Sequence, residues 1–163
     1  MKPEQVKVAV ALDTGGVAIM SVVLNDGKNV VHDPTPEYVN ALIEQSRQAG
    51  SGWGGNPVSW RFIRDDELSL DRTYRAAWED TGSLAVNMPR ARAIHMDLIR
   101  AARTPFFKAL DDAYLRADEA GDTARKRQVA AQKQALRDLP TTFDLSGART
   151  PEELKALWPQ ELS

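Results

Sequence analysis

The stretch ADEAGDTARKRQ, Ala117–Gln128, decides how the second half of the chain folds. Helix formers run up to Gly121, which takes the left-handed backbone that ends a helix at little cost. Asp122 follows at once, and an aspartate there caps the next helix, Thr123–Asp138, by accepting from its unpaired N–H groups. Two helices joined by so short a link run antiparallel, as a helical hairpin.

Downstream of that turn lies AAQKQALRDLP, Ala130–Pro140. Between Val129 and Leu139 its only large apolar residue is Leu136. A segment of Ala, Gln, Lys and Arg has good helix propensity and little to bury, so it holds its shape by lying against a neighbour. The neighbour is the helix upstream, and the small residues let the two backbones approach closely.

Upstream, the helical period runs from NMP to about Asp118, with Asn87 as cap. At about 100° per residue, Leu98, Ile99, Ala102, Phe106, Ala109, Leu110, Ala113 and Ala117 form one broad apolar stripe. Met96, Arg103, Phe107 and Tyr114 fall on a second line off its edge. One stripe serves a hairpin partner. A second predicts contact with the N-terminal unit or with another chain, although wide apolar faces are also common on core helices. Pro105, inside this helix, predicts a kink or a break. Beyond the hairpin, TTFDLSGA reads as a linker. TPEELKALWP reads as a last short helix, with Thr150 as cap, Pro151 next and Glu153 completing a capping box.

The N-terminal third has a different period. QVKVAVAL and VAIMSVVL alternate and are β-branched, and DTGG between them is hairpin chemistry. NDGKN, Asn25–Asn29, reads as a second turn, and VVH as the start of another strand. TPEYVNALIEQSRQAG has Thr35 as cap, Pro36 at the first helical position, Glu37 near the positive end of the dipole and Gly50 as stop. Its apolar face is Val39, Leu42 and Ile43. GSGWGGNP is a loop, and VSWRFIR a strand with Val58, Trp60 and Phe62 on one side. DRTYRAAWEDTGSLAVNMP then holds a short helical turn, with Tyr74 and Trp78 at i and i+4, and a short strand, Leu84–Val86. The fold class is therefore α+β. A small β-rich unit with one helix, residues 1–68, precedes a helical-hairpin region, residues 69–163.

The 163 residues carry a net charge of −2, with acidic and basic residues mixed along the chain. This balance predicts no nucleic-acid partner. No apolar run reaches membrane-spanning length, and the opening MKPEQVKVAVALDTGGVAIM lacks the apolar core of a signal peptide. The expected location is cytosolic. The absence of cysteine removes a disulfide framework, thiolate metal sites and a thiol nucleophile.

No residue pattern calls for catalysis. GSGWGG follows a helix and opens a strand, whereas a phosphate-cradling loop follows a strand and opens a helix. His32 lies in a turn. His95 stands two residues from Asp97, so the two point to different sides of a helix and form no dyad. No spacing suits a metal. Arg90, Arg92, Arg100 and Arg103 read as a solvated, salt-bridged face, with Asp97–Arg100 an i,i+3 pair. No nucleophile elbow or acid–base pair is visible. No cofactor and no metal are expected.

From about Leu70 the wording is familiar. DRTYRAAWEDTG, ARAIHMDLIRAARTPFFKALDDAYLRADEAGD, QKQALRDLPTTFDLSG and TPEELKALWPQEL resemble the C-terminal region of small proteins of tailed bacteriophages and prophages, similar to the phage tail assembly chaperone group. The main cues are Arg100-x-x-Arg103, Asp111, Gly121-Asp122 and Gln134-x-Leu136-Arg137-Asp138-x-Pro140. Where better-marked members carry a DWTQ-like segment after the first helix, this chain has DDAYLRADEAGD. The resemblance implies a binding protein, not an enzyme. Its partner would be a tail-fibre or baseplate protein, with self-association a further option, and its place the host cytoplasm during assembly. The alternative is a small adaptor retained on the fibre or baseplate of the virion. An enzyme of unknown type is a third reading that no residue supports. The expected partner-binding residues are those of the second line, Met96, Arg103, Phe107 and Tyr114, since large adaptable and aromatic side chains are enriched at interfaces.

Overall fold

The computed structural model describes residues 4–25, 30, 34–68 and 71–162. The fold is α+β. The chain divides into two compact units, Met1–Asn87 and Met88–Ser163, so the first unit continues past the boundary expected at residues 68 and 69.

In the first unit, β1 (Glu4–Leu12) and β2 (Val17–Asn25) form an antiparallel hairpin. Asp13–Gly16 turns between them. Gly15 has φ of 74°, and its N–H donates to the Leu12 carbonyl at 2.8 Å. The expected turn after β2 falls largely outside the described residues, as do the last two residues of VVH; Val30 alone is described there, and it is exposed. Helix α1 (Pro36–Gln48) starts where its signals place it: Thr35 Oγ1 accepts from the Tyr38 N–H at 3.3 Å, and Gly50, at φ 73°, ends it. Strand β3 (Pro57–Ile63) returns to pair antiparallel with β1, giving the order β2-β1-β3.

The register sorts side chains to two faces. Val10 opposes Ala18 and Trp60, and Val8 opposes Met20 and Phe62. Opposed residues share a face. On this face Val8, Val10, Leu12, Val22 and Leu24 pack with Val39 and Ile43 of α1. The other face carries the small residues Ala9 and Ala11, opposed by Arg61 and Ser59. It is covered by a second hairpin, β4 (Trp78–Asp80) with β5 (Leu84–Val86), and β4 touches β1 and β2. Ala9, Tyr74, Ala77 and Trp78 are buried. The helical turn expected to carry both Tyr74 and Trp78 is shorter: a 3-10 turn spans Arg75–Ala77, and Trp78 is already extended. Pairing with β5 wins over the i,i+4 contact.

The second unit is helical. The long helix upstream of the hairpin is bent into α2 (Met88–Ala102) and α3 (Thr104–Glu119), with Arg103 between them. Pro105 makes the break, since it removes one helical donor and crowds the turn before it. Gly121, at φ 68°, and Asp122 then reverse the chain, and Asp122 Oδ1 accepts from the Arg125 N–H at 2.9 Å. Helix α4 (Thr123–Thr142) packs along α3 and extends past the expected end at Asp138, carrying Pro140 inside its last turns. The connector that follows buries Leu145 and Ala148. A last helix, α5 (Pro151–Ala156), is capped by Thr150 and packs against α2.

Candidate interaction surface

The second line of the long helix meets α4. Arg103 Nη1 donates to the Leu136 carbonyl at 2.6 Å. Two guanidiniums, Arg103 and Arg137, lie over the Phe107 ring, each 6.0 Å from its centroid. Tyr114 lies under Lys126 and Lys133, at 5.4 and 5.7 Å. Those lysines also bridge the hairpin, Lys126 to Asp118 and Lys133 to Asp111. The Asp118 carboxylate raises the Lys126 pKa. Arg103, Phe107 and Tyr114 are therefore occupied within the unit, Tyr114 remaining 37% exposed. Met96, on α2, is half-buried. The α3–α4 seam is thus partly polar, and this is how a helix with few large residues stays attached: Val129, Leu136 and Leu139 are buried, and cations lie over rings and beside carboxylates at the margin.

The arginine set is not the uniform salt-bridged face expected of it. Arg100 does pair with Asp97, at 2.7 Å. Arg92 and Arg103 instead reach backbone carbonyls, Arg92 Nη2 donating to Ala148 at 2.7 Å. Their long stems let α2 and the helix break hold chain segments that are distant in sequence. His95 does similar work. It is 3% exposed, its Nε2–H donates to the Leu157 carbonyl at 2.8 Å, and its ring meets Trp158 edge-on at 5.7 Å. A carbonyl only accepts, so Nε2 carries the proton. His32 lies outside the described residues.

The Gly-rich loop is a connector. Asp13 accepts from the Asn56 N–H and from Asn56 Nδ2, both at 2.9 Å, and these bonds lower its pKa. A Cβ on Gly55 would stand 2.7 Å from Asp13 Oδ1, so the glycine permits this close approach. A carboxylate at that place repels phosphate. Trp53 folds back onto the core cluster and anchors the loop.

An accessible apolar set lies on β3. Val58 is 67% exposed and Phe62 44%, and both share the face of the half-buried Trp60. Trp60 and Phe62 stack edge to face at 5.3 Å, and Trp60 Nε1 donates to Asn40 Oδ1 of α1 at 2.6 Å. The sequence places these three residues on one side of a strand, and the register bears that out. They stay open because β3 is an edge strand. Pro57, its first residue, carries that signal, since a strand that begins with proline suits an edge. A shallow cavity of about 150 Å³, lined by Glu67, Trp78, Leu84, Ala85 and Val86, is small beside the roughly 300–1,000 Å³ of small-molecule sites. Among the described residues no three His, Asp or Glu side chains group as metal ligands, and no helix is long and apolar enough to cross a membrane. Comparison with family models, with curated proteins and with solved structures finds no match.

Proposed function

We propose that this chain is an assembly protein of a bacteriophage tail or tail fibre and that it acts by binding another protein, in the manner of an assembly chaperone. The likeness of residues 70–160 to that group supplies the biological setting. The observation that supports binding is the apolar face of β3. An edge strand offers unpaired main-chain groups to an added strand, and Val58, Trp60 and Phe62 offer side-chain contact beside it. Isolated apolar residues on a surface are ordinary, whereas an adjacent aromatic and aliphatic set on an edge suits recognition. The role assigned is binding in the host cytoplasm, with no chemistry and no nucleic-acid or membrane partner.

Co-expression with tail-fibre and baseplate proteins tests this. Wild-type chain should co-purify with one of them. Val58→Asp with Phe62→Asp should abolish capture and leave the melting temperature nearly unchanged, because both positions are exposed. No capture by wild type, or capture lost only through unfolding, rejects the reading. Mass spectrometry of purified particles then separates a chaperone, absent from them, from a retained adaptor, present in them.

A further inference from the structure

A carbonyl inside an α-helix accepts from the N–H four residues on. The Leu136 carbonyl would accept from residue 140, and residue 140 is proline. Proline has no N–H, and its ring crowds the carbonyl four residues back. Yet α4 continues to Thr142. The Leu136 carbonyl therefore lacks the ordinary four-residue helical bond, at a residue only 4% exposed. The donor comes from another element. Arg103 Nη1 lies 2.6 Å from the Leu136 oxygen and 3.4 Å from that of Arg137. Arg103 stands at the break that Pro105 makes between α2 and α3. One proline places the cation, and the other creates its acceptor.

Around this bond the second unit sorts into two halves. α2 is tied to the C-terminal segment through Arg92 on Ala148 and His95 on Leu157. α3 is tied to α4 through the lysine–aspartate pairs and the cations over Phe107 and Tyr114. The halves share the joint at Arg103, the connector after α4 and a limited contact of α2 with α4. We propose that Arg103 is the latch of a hinge: its bond to the carbonyl freed by Pro140 fixes the α3–α4 hairpin against the α2–α5 half. Losing the bond lets the hairpin swing about Arg103. This device does not depend on the proposed tail partner.

The chain has no cysteine, so spin labels at Glu119→Cys and Ala156→Cys report the distance between halves directly. Arg103→Met keeps an unbranched apolar stem and removes the donors. It should broaden the distance distribution and raise amide opening across α4 roughly tenfold to a hundredfold, the range for a lost bond from a charged donor. Arg103→Lys retains a donor and should fall between. In a Pro140→Ala background the new alanine supplies the missing N–H, so Arg103→Met should change opening by less than about threefold. An equal rise in both backgrounds would show that Arg103 acts through packing, and an unchanged distance in Arg103→Met would remove the hinge. If Arg103→Met alone fails to fold, the distance is read in Arg103→Met with Pro140→Ala, where the carbonyl is satisfied and the latch is still absent: a broadened distribution supports the latch, and a wild-type distribution overturns it.

Discussion

What a charged side chain meets decides what it contributes. Arg61 is the clearest case. Its Nε donates to both oxygens of Asp80, and its Nη2 donates to Glu67 at 2.8 Å. The Asp80 side chain is 8% exposed and that of Arg61 29%, so the pair is partly shielded from water and ties β3 to β4 with directional bonds. The bond from Arg61, and then that from the Arg64 N–H, hold the Glu67 pKa below its usual value. Glu44 is the exposed counterpart. Bonds from Arg47 and then Gln48 lower its pKa from 4.5 to about 2. Because the folded pKa lies below the unfolded one, this bond's contribution is complete above pH 4.5 and is lost as pH falls through about 2. The Glu44 carboxyl, followed by NMR, should titrate near 2. Arg47→Gln should move the midpoint toward 4.5, and a wild-type midpoint already at 4.5 would show the pair to be open in solution.

At the scale of elements, local signals were legible and distant ones were not. The caps at Thr35, Asp122 and Thr150 each form the bond that their residue types predict, because a cap involves only three or four neighbouring residues. The hairpin reversal at Gly121 is legible for the same reason. The pairing of β1 with β3, which leaves Val58 and Phe62 on an edge, joins residues about fifty apart, and no local periodicity reports it. The extension of α4 through Pro140 is hidden likewise, since its compensation comes from the break between α2 and α3, more than thirty residues away. What holds α4 is nonetheless concentrated where its composition places it. Leu136, the one large apolar residue between Val129 and Leu139, is 4% exposed. Leu136→Ala should cost about 2–5 kcal/mol. Amides over 123–142 should lose protection before those of α2, and protection unchanged across α4 would show that the seam's polar contacts, rather than Leu136, hold it.

For the molecule as a whole, the question is where the first unit stops. Composition changes near residue 69, where strand-like alternation gives way to mixed sequence, and that change draws a boundary too early. The physics puts it at Asn87. The sheet formed by β1, β2 and β3 has apolar residues on both faces, and α1 covers only one. On the other face Ala9 is completely buried and Ile63 is 8% exposed, and β4, after the apparent boundary, approaches β1 and β2 there. The Arg61–Asp80 bonds fasten that cover, and the Asn87 N–H closes it by donating to the Ala77 carbonyl at 2.8 Å. A chain of about seventy residues has little core to spare, since small domains bury a smaller share of their surface than large ones. A fragment ending at residue 68 would expose one sheet face and leave Arg61 with only Glu67 as carboxylate partner. It should therefore show no cooperative thermal unfolding and should bind hydrophobic dyes or aggregate. A fragment ending at Asn87 should unfold in one transition, as a two-state unit does. Equal cooperativity and equal melting temperature in the two fragments would mean that the β4–β5 hairpin merely rests on the sheet, and that the unit ends where its composition changes.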